Sequence, residues 1–223
     1  MTLIKAVIFD LDGTLLDRDR SVRLFIEEQY ERLKTKLSHI LKETYVHRFI
    51  ELDNRGYVWK DIVYKQMVED FSIELSSEAM LEDYVQEFKQ HCVPFENLHS
   101  MLHILKKQGL KLGMITNGYG QFQLDNIRAL RIEEDFDVIL ISECEGIKKP
   151  NAEIFHRALS KLGVFANESM YIGDHPFNDV EAAKKVGMMA IWKRNDAWQK
   201  VEADYNIDNL IEIQDILKVL QKT

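Results

Sequence analysis

Two hydrophobic rhythms divide this chain. Short apolar runs rich in β-branched residues recur at Val7–Leu11, Leu112–Thr116, Val138–Ser142, Met170–Gly173 and Met189–Trp192. They are continuous rather than alternating, as strands covered on both faces are. Helical spacing separates the later runs, at Phe122–Leu130, Ala152–Leu162 and Val180–Val186. Strand and helix in alternation predict right-handed crossovers, hence a parallel sheet with helices on both faces. Between Leu16 and about Pro94 the strand rhythm stops. Val22, Phe25, Ile26, Tyr30, Leu33 and Leu37 form one helical stripe there, Ile62, Val63 and Met67 a second, and Leu81, Val85 and Phe88 a third. Gly56 is the only glycine of this region. The pattern predicts a small helical bundle inserted after the first strand, with hinges at Leu16–Asp19 and Cys92–Phe95, where the stripes stop.

Polar groups of one chemical kind stand at the ends of four strands. The first run closes in Asp10-Leu11-Asp12-Gly13-Thr14. Gly13 lets the chain bend there, so that both acids can serve one site. Two acids at the end of a buried strand are costly to desolvate unless a cation or donors compensate. The second run closes in Thr116-Asn117-Gly118, the third leads through Gly146-Ile147-Lys148-Lys149-Pro150 into a helix, and the fourth closes in Gly173-Asp174, with Asp179 five residues on. Ligands of open parallel sheets bind beyond the carboxyl ends of the strands, near the point where strand order reverses. These groups should therefore converge. Asp10, Asp12 and Asp174 supply hard oxygens suited to Mg²⁺. The Thr116 hydroxyl and the Asn117 backbone N–H suit phosphate oxygens. Lys149 adds a positive charge that only an anionic ligand would call for. The set reads as a site for phosphoryl transfer.

Composition narrows the partners. A length of 223 residues suits one domain with an insertion, or two small domains. The net charge of -8 argues against nucleic acid and against an anionic membrane surface. An anionic small molecule remains compatible, because a local cation outweighs the global field. Cys92 and Cys144 match no ligand or redox spacing, and no signal peptide or bilayer-length apolar run is visible. A reduced, cytoplasmic setting is the expectation.

Asp10-Leu11-Asp12-Gly13-Thr14-Leu15, Thr116, Lys149-Pro150 and Gly173-Asp174 with Asp179 resemble, in order and spacing, the four motifs of the haloacid dehalogenase superfamily of phosphohydrolases. The resemblance spans essentially the whole chain. It implies an α/β fold: a Rossmann-like, three-layer parallel sheet core formed by residues 1–16 and 94–223, with an α-helical cap inserted at 17–93. It implies a Mg²⁺-dependent phosphatase of a small soluble phosphomonoester, either a nucleoside monophosphate or a sugar phosphate. The alternative is a sugar phosphomutase that uses the same aspartyl-phosphate. In this resemblance Asp10 is the nucleophile and Asp12 the acid and base. Asp10, the Asp12 carbonyl and Asp174 hold Mg²⁺, Asp179 lies at the metal shell or pairs Lys149, and Thr116, Asn117 and Lys149 bind the phosphoryl group. The family's lysine stands directly before the proline, which selects Lys149 over Lys148. The superfamily's dehalogenases work without metal and lack an acid at the position of Asp12. Its phosphonate-cleaving members use a cap lysine, for which Lys60 or Lys65 would be the candidates, and also lack the second acid. Asp12 and Asp174 point away from both.

Other signals weigh less. His99 and His103 have helical metal spacing but no third ligand, so an exposed helix flank is expected. Gly118-Tyr119-Gly120 begins a dinucleotide fingerprint, yet Gln123 stands where its last glycine belongs. His175 is expected to be a loop residue without a role. Asn54-Arg55-Gly56 marks a turn between cap helices. Beside it, Arg55 is the specificity candidate, while Trp59 is assigned to packing.

Overall fold

A computed structural model of the chain describes residues 3–199 and 201–222. Six strands form one sheet: β1 (Ala6–Phe9), β2 (Lys111–Thr116), β3 (Val138–Ile141), β4 (Ser169–Gly173), β5 (Met189–Lys193) and β6 (Tyr205–Ile207). Their order is β3-β2-β1-β4-β5-β6, and every pairing is parallel. The chain moves outward from β1 through β2 to β3, then returns to the other side of β1 with β4. Strand order therefore reverses between β1 and β4, and the crevice expected of such sheets opens at their carboxyl ends. In register, Phe9 lies opposite both Met114 of β2 and Ile172 of β4. The residues that follow these three strands are accordingly brought level with one another.

Two compact units emerge from the packing, one of residues 1–17 with 94–223 and one of Arg18–Val93. The second unit is helical: α1 (Arg18–Arg32), α2 (Lys42–Asp53), α3 (Lys60–Phe71) and α4 (Ser77–Glu87), with each helix packed on the next. Its core is aromatic. Tyr84 lies 5.0 Å from Phe25 and 5.1 Å from Phe88 between ring centroids. At its polar centre the Gln29 carbonyl accepts from the hydroxyls of Tyr45 (3.0 Å) and Tyr64 (2.9 Å). Two stripes differ from the sequence expectation. On α4 the buried residues are Met80 and Tyr84, whereas Val85 is 40% exposed and Leu81 only half-buried. The aromatic cluster takes Tyr84 inward and so rotates the helix. On α3, Ile62 faces solvent and Lys60 is buried, because its ammonium is paired with Asp53, which also accepts from Arg18 at 2.9 Å. Of the two cap lysines singled out in the sequence, Lys60 is thus a buried ion-pair partner, while Lys65 is exposed.

In the first unit the sheet carries helices α5 (Leu98–Lys107), α6 (Gly120–Ala129), α7 (Ala152–Leu162), α8 (Ala182–Lys185) and α9 (Ile213–Lys222). Because the crossover direction reverses at β1, right-handed connections put α5 on one face and α7 and α8 on the other. Ala6, Ile8 and Tyr171 are buried in one cluster with Ile154, Phe155 and Ala158 of α7 and Ala182 and Ala183 of α8. The helix α5 buries Leu98, Met101, Leu102 and Leu105 and packs on β2 and α9. His99 and His103 lie on its exposed flank. The α/β, three-layer reading holds. Ser142 begins a helical turn rather than ending β3, and β6 has no counterpart among the predicted strands. No helix among the described residues is long and apolar enough to cross a membrane.

Candidate active site

The turn after β1 is built to return on itself. The Asp10 N–H extends the ladder to the Ile172 carbonyl (2.9 Å), and the N–H groups of Leu15 and Leu16 then both reach back to the Leu11 carbonyl at 2.9 Å. Gly13 sits inside this curl at φ +82°, where a Cβ would stand 2.4 Å from an Asp174 carboxylate oxygen. Only glycine tolerates both the backbone angle and that approach. The curl buries Asp10, which is 6% exposed, and leaves Asp12 half-buried.

Lys149 has farther to come. Its loop follows β3, which is separated from β1 by β2, so the ammonium must be carried back across one strand. Asn117, at the end of β2, braces it: its amide donates to the Lys149 carbonyl (3.0 Å) and its oxygen accepts from the Lys149 N–H (2.9 Å). The ammonium, on a side chain 3% exposed, then donates to Asp10 Oδ1 and Asp179 Oδ1, both at 2.6 Å, and to the Tyr171 hydroxyl at 3.0 Å. Asp179 is fixed further by the His175 N–H on its Oδ2 (3.0 Å). His175 also accepts through Nδ1 from the N–H groups of Phe177 and Asn178. It therefore shapes the loop that aims Asp179, in contrast to the expectation of no role.

One oxygen from each of Asp10, Asp174 and Asp179 lies within 4.8 Å of the others. Burial pushes the Asp10 carboxyl well above its ordinary pKa, with Lys149 opposing. Asp174 is pushed up to about 7, by burial first and by the Asp179 charge second. Burial also works against the Lys149 ammonium, but Asp10 and Asp179 outweigh it and raise its pKa. Ionised together, three carboxylates against one ammonium would leave an excess of two negative charges at one point. Hard oxygen donors with an excess of two negative charges fit a divalent cation such as Mg²⁺. Asn195 holds Asp174 from outside, donating to its Oδ2 at 2.7 Å.

The carboxylate of Asp12 stands apart from this cluster: its Oδ2 accepts from the Gln123 amide at 2.6 Å. The Asp12 backbone carbonyl, not this carboxylate, is the atom the sequence reading assigned to the metal. The buried Thr116 hydroxyl also accepts from Gln123, at 2.7 Å. Asn117 engages the Lys149 backbone through its side chain, a bracing function the sequence did not indicate. Gln123, read at first only as a missing glycine, is a further site residue, and its signal was a polar side chain on the inward face of α6.

Comparison with known proteins places the geometry. The sequence profile of haloacid dehalogenase-like hydrolases matches residues 7–193. A glyceraldehyde 3-phosphate phosphatase of Methanocaldococcus jannaschii is 28% identical, covering 99% of this chain and 100% of its own. The crystal structure of a HAD phosphatase from Thermococcus onnurineus aligns with a TM-score of 0.68 at 29% identity, over 96% of this chain and 98% of that one. The HAD-hydrolase YfnB of Bacillus subtilis, solved bound to magnesium, shares the fold with a TM-score of 0.78 at 21% identity, over 97% of this chain and all of that one.

Proposed function

The chain belongs to the haloacid dehalogenase-like hydrolase family, and from that premise we propose that it is a Mg²⁺-dependent phosphatase acting through an aspartyl-phosphate on Asp10. The enzyme is a phosphoric monoester hydrolase, and its substrate class is a small phosphomonoester. The observation that carries the mechanism is the buried lysine shared by two of three converging carboxylates, set at the point where strand order reverses. Asp10, Asp174 and the Asp12 carbonyl would hold Mg²⁺, with Asp179 beside them bracing Lys149. Bound there, the ion supplies charge neutralisation for the phosphoryl oxygens.

Asp10 attacks phosphorus through a carboxylate oxygen, and the bond from phosphorus to the leaving oxygen breaks. Protonated Asp12 gives its proton to that oxygen, releasing the alcohol. In the second half, the Asp12 carboxylate takes a proton from the attacking water. The bond from phosphorus to Asp10 then breaks, and inorganic phosphate and the free Asp10 carboxylate are regenerated. Lys149 neutralises charge on the transferred group while holding Asp10 in line, and Thr116 donates its hydroxyl to a phosphoryl oxygen. The helical insertion at 17–93 is assigned the family's cap role, which leaves selectivity for the organic end of the substrate to that unit. The relative from Methanocaldococcus jannaschii, named for a three-carbon sugar phosphate, favours the sugar phosphate branch over nucleoside monophosphates.

A panel of sugar phosphates, glyceraldehyde 3-phosphate included, and of nucleoside monophosphates, assayed for Mg²⁺-dependent release of inorganic phosphate, tests the reading. Acid quenching in turnover should yield a phosphopeptide containing Asp10, and Asp10→Asn should be folded and inactive. Phosphate release by Asp10→Asn at the parent rate sinks the nucleophile assignment. Isomerised sugar phosphate in place of free phosphate makes the enzyme a mutase.

A further inference from the structure

The side chain of Gln123, in the first turn of α6, is 2% exposed. Its amide nitrogen faces three oxygens: Asp12 Oδ2 at 2.6 Å, Thr116 Oγ1 at 2.7 Å and the Asn117 carbonyl at 3.1 Å. Its oxygen accepts from the Asn126 amide at 3.1 Å, and Asn126 is itself fully buried. Gly118, which carries no Cβ, lets the β2 loop close over it: a Cβ there would stand 2.8 Å from Gln123 Cγ. A buried amide costs about 1–3 kcal/mol if left unpaired. This one is paired at both ends, within a pocket closed by a residue with no side chain. Two amide protons shared among three acceptors bind the turn after β1 to the end of β2.

We propose that Gln123 is the positioning residue for Asp12. It holds Oδ2 so that the other carboxylate oxygen carries the proton toward the leaving group. The inference rests on the reading of Asp12 as acid and base, but it adds a requirement which that reading lacks. Asp12 is half-buried, on a turn rather than in a strand. A carboxylate on a turn has rotamer freedom, and general acid catalysis needs it within hydrogen-bond reach of one oxygen. Gln123 removes that freedom from the side opposite the proton. The same amide occupies a lone pair of Thr116. The Thr116 O–H, whose Asn117 contact at 3.5 Å is at the limit of a hydrogen bond, is thereby left to a phosphoryl oxygen.

The test compares kcat/KM, which reports the steps through formation of the phosphoenzyme, for an aryl phosphate (p-nitrophenyl phosphate) and an alkyl phosphate (glycerol 3-phosphate). Both are measured with the Mg²⁺-loaded full chain. An aryl oxide leaves without help, whereas an alkoxide needs the proton. Gln123→Met, which keeps volume and loses the donor, should lower the alkyl value about 100-fold and the aryl value less than about tenfold. Gln123→Asn, which keeps an amide one methylene short of Asp12, guards against a folding failure of Met and should give the same selective loss. Equal losses for both substrates in either folded variant overturn the proposal and make Gln123 a packing residue. Asp12→Asn is run alongside. A selective alkyl loss there but not at Gln123 sinks only this inference, and no selective loss at Asp12 sinks the acid assignment beneath it.

Discussion

The acid cluster should make the metal-free enzyme less stable than a variant that cannot work, and Asp174→Asn is the perturbation that measures this. In the folded chain the Asp174 carboxyl titrates at about 7 against an ordinary 3.8. Between those values the native state holds a proton that the unfolded state has released. Stability therefore falls as pH rises across that window, and the full cost is present above it. At about 1.4 kcal/mol for each tenfold change in proton affinity, the rise sets a ceiling of about 4 kcal/mol. Asp174 is only half-buried, and solvent screening brings the expected cost to about 2 kcal/mol. An asparagine at this position keeps an oxygen for Asn195, whose amide is 2.7 Å away, and carries no charge. In chelator at pH 8, Asp174→Asn should thus melt about 4–8 °C above the parent, the shift expected for about 2 kcal/mol in a chain of this size. The gap should shrink steadily as the pH is lowered to 4. Saturating Mg²⁺ should invert the order, because the parent gains about 2.7 kcal/mol at one hundred times its dissociation constant and the variant has lost a charged ligand. Thermal melts with and without Mg²⁺ at three pH values decide it. If Asp174→Asn is the less stable protein in chelator at pH 8, the carboxylates are not in electrostatic conflict and the reading of the cluster as a cation site loses its physical basis.

Three further changes probe the supports. Lys149→Met leaves Asp10 and Asp179 buried without their ammonium, and urea unfolding should show a loss of about 3–5 kcal/mol, part of it recovered by Mg²⁺. Asn117→Ala frees the Lys149 backbone from both of its contacts. It should lower turnover of aryl and alkyl phosphates by the same factor, the opposite of the signature expected at Gln123; a substrate-selective loss would mean that Asn117 acts on Asp12 instead. Tyr84→Ala empties the aromatic centre of the helical unit and should cost about 3–5 kcal/mol, read as lost protection of its amides in hydrogen exchange.

The strands that carry chemistry are legible in the sequence because their burial on both faces forces continuous apolar runs, and because each run ends abruptly in Asp, Thr, Ser or Gly. The strand Tyr205–Ile207 fails that criterion. It is three residues long with an exposed Asn206 in the middle, and it exists through its pairing with Ile191, Trp192 and Lys193. Its stabilisation is tertiary, so no local pattern announces it. The misassigned face of α4 has a related origin. Drawing the stripe through Leu81, Val85 and Phe88 leaves out Tyr84, although a tyrosine ring buries more area than either aliphatic side chain, and the neighbouring rings of Phe25 and Phe88 settle the rotation.

Gln123 is the instructive miss, because its signal was present. Along α6 the inward positions are Gly120, Gln123, Asn126 and Ile127, a helical stripe in which two amides occupy places that packing alone would fill with leucine. Hydrophobic periodicity treats such positions as gaps in the pattern. Energetically they are the reverse, since an amide on a buried stripe is tolerated only where partners are waiting for it. Here the partners come from the turn after β1 and the end of β2, the two segments already marked by their acids and hydroxyl. A polar residue placed on the inward face of a helix that starts at a motif-bearing strand end therefore points to the same crevice as the motif itself. What the sequence withholds is which oxygen the amide will meet, because that depends on the reversal of strand order that sets β1 beside β2 and β4.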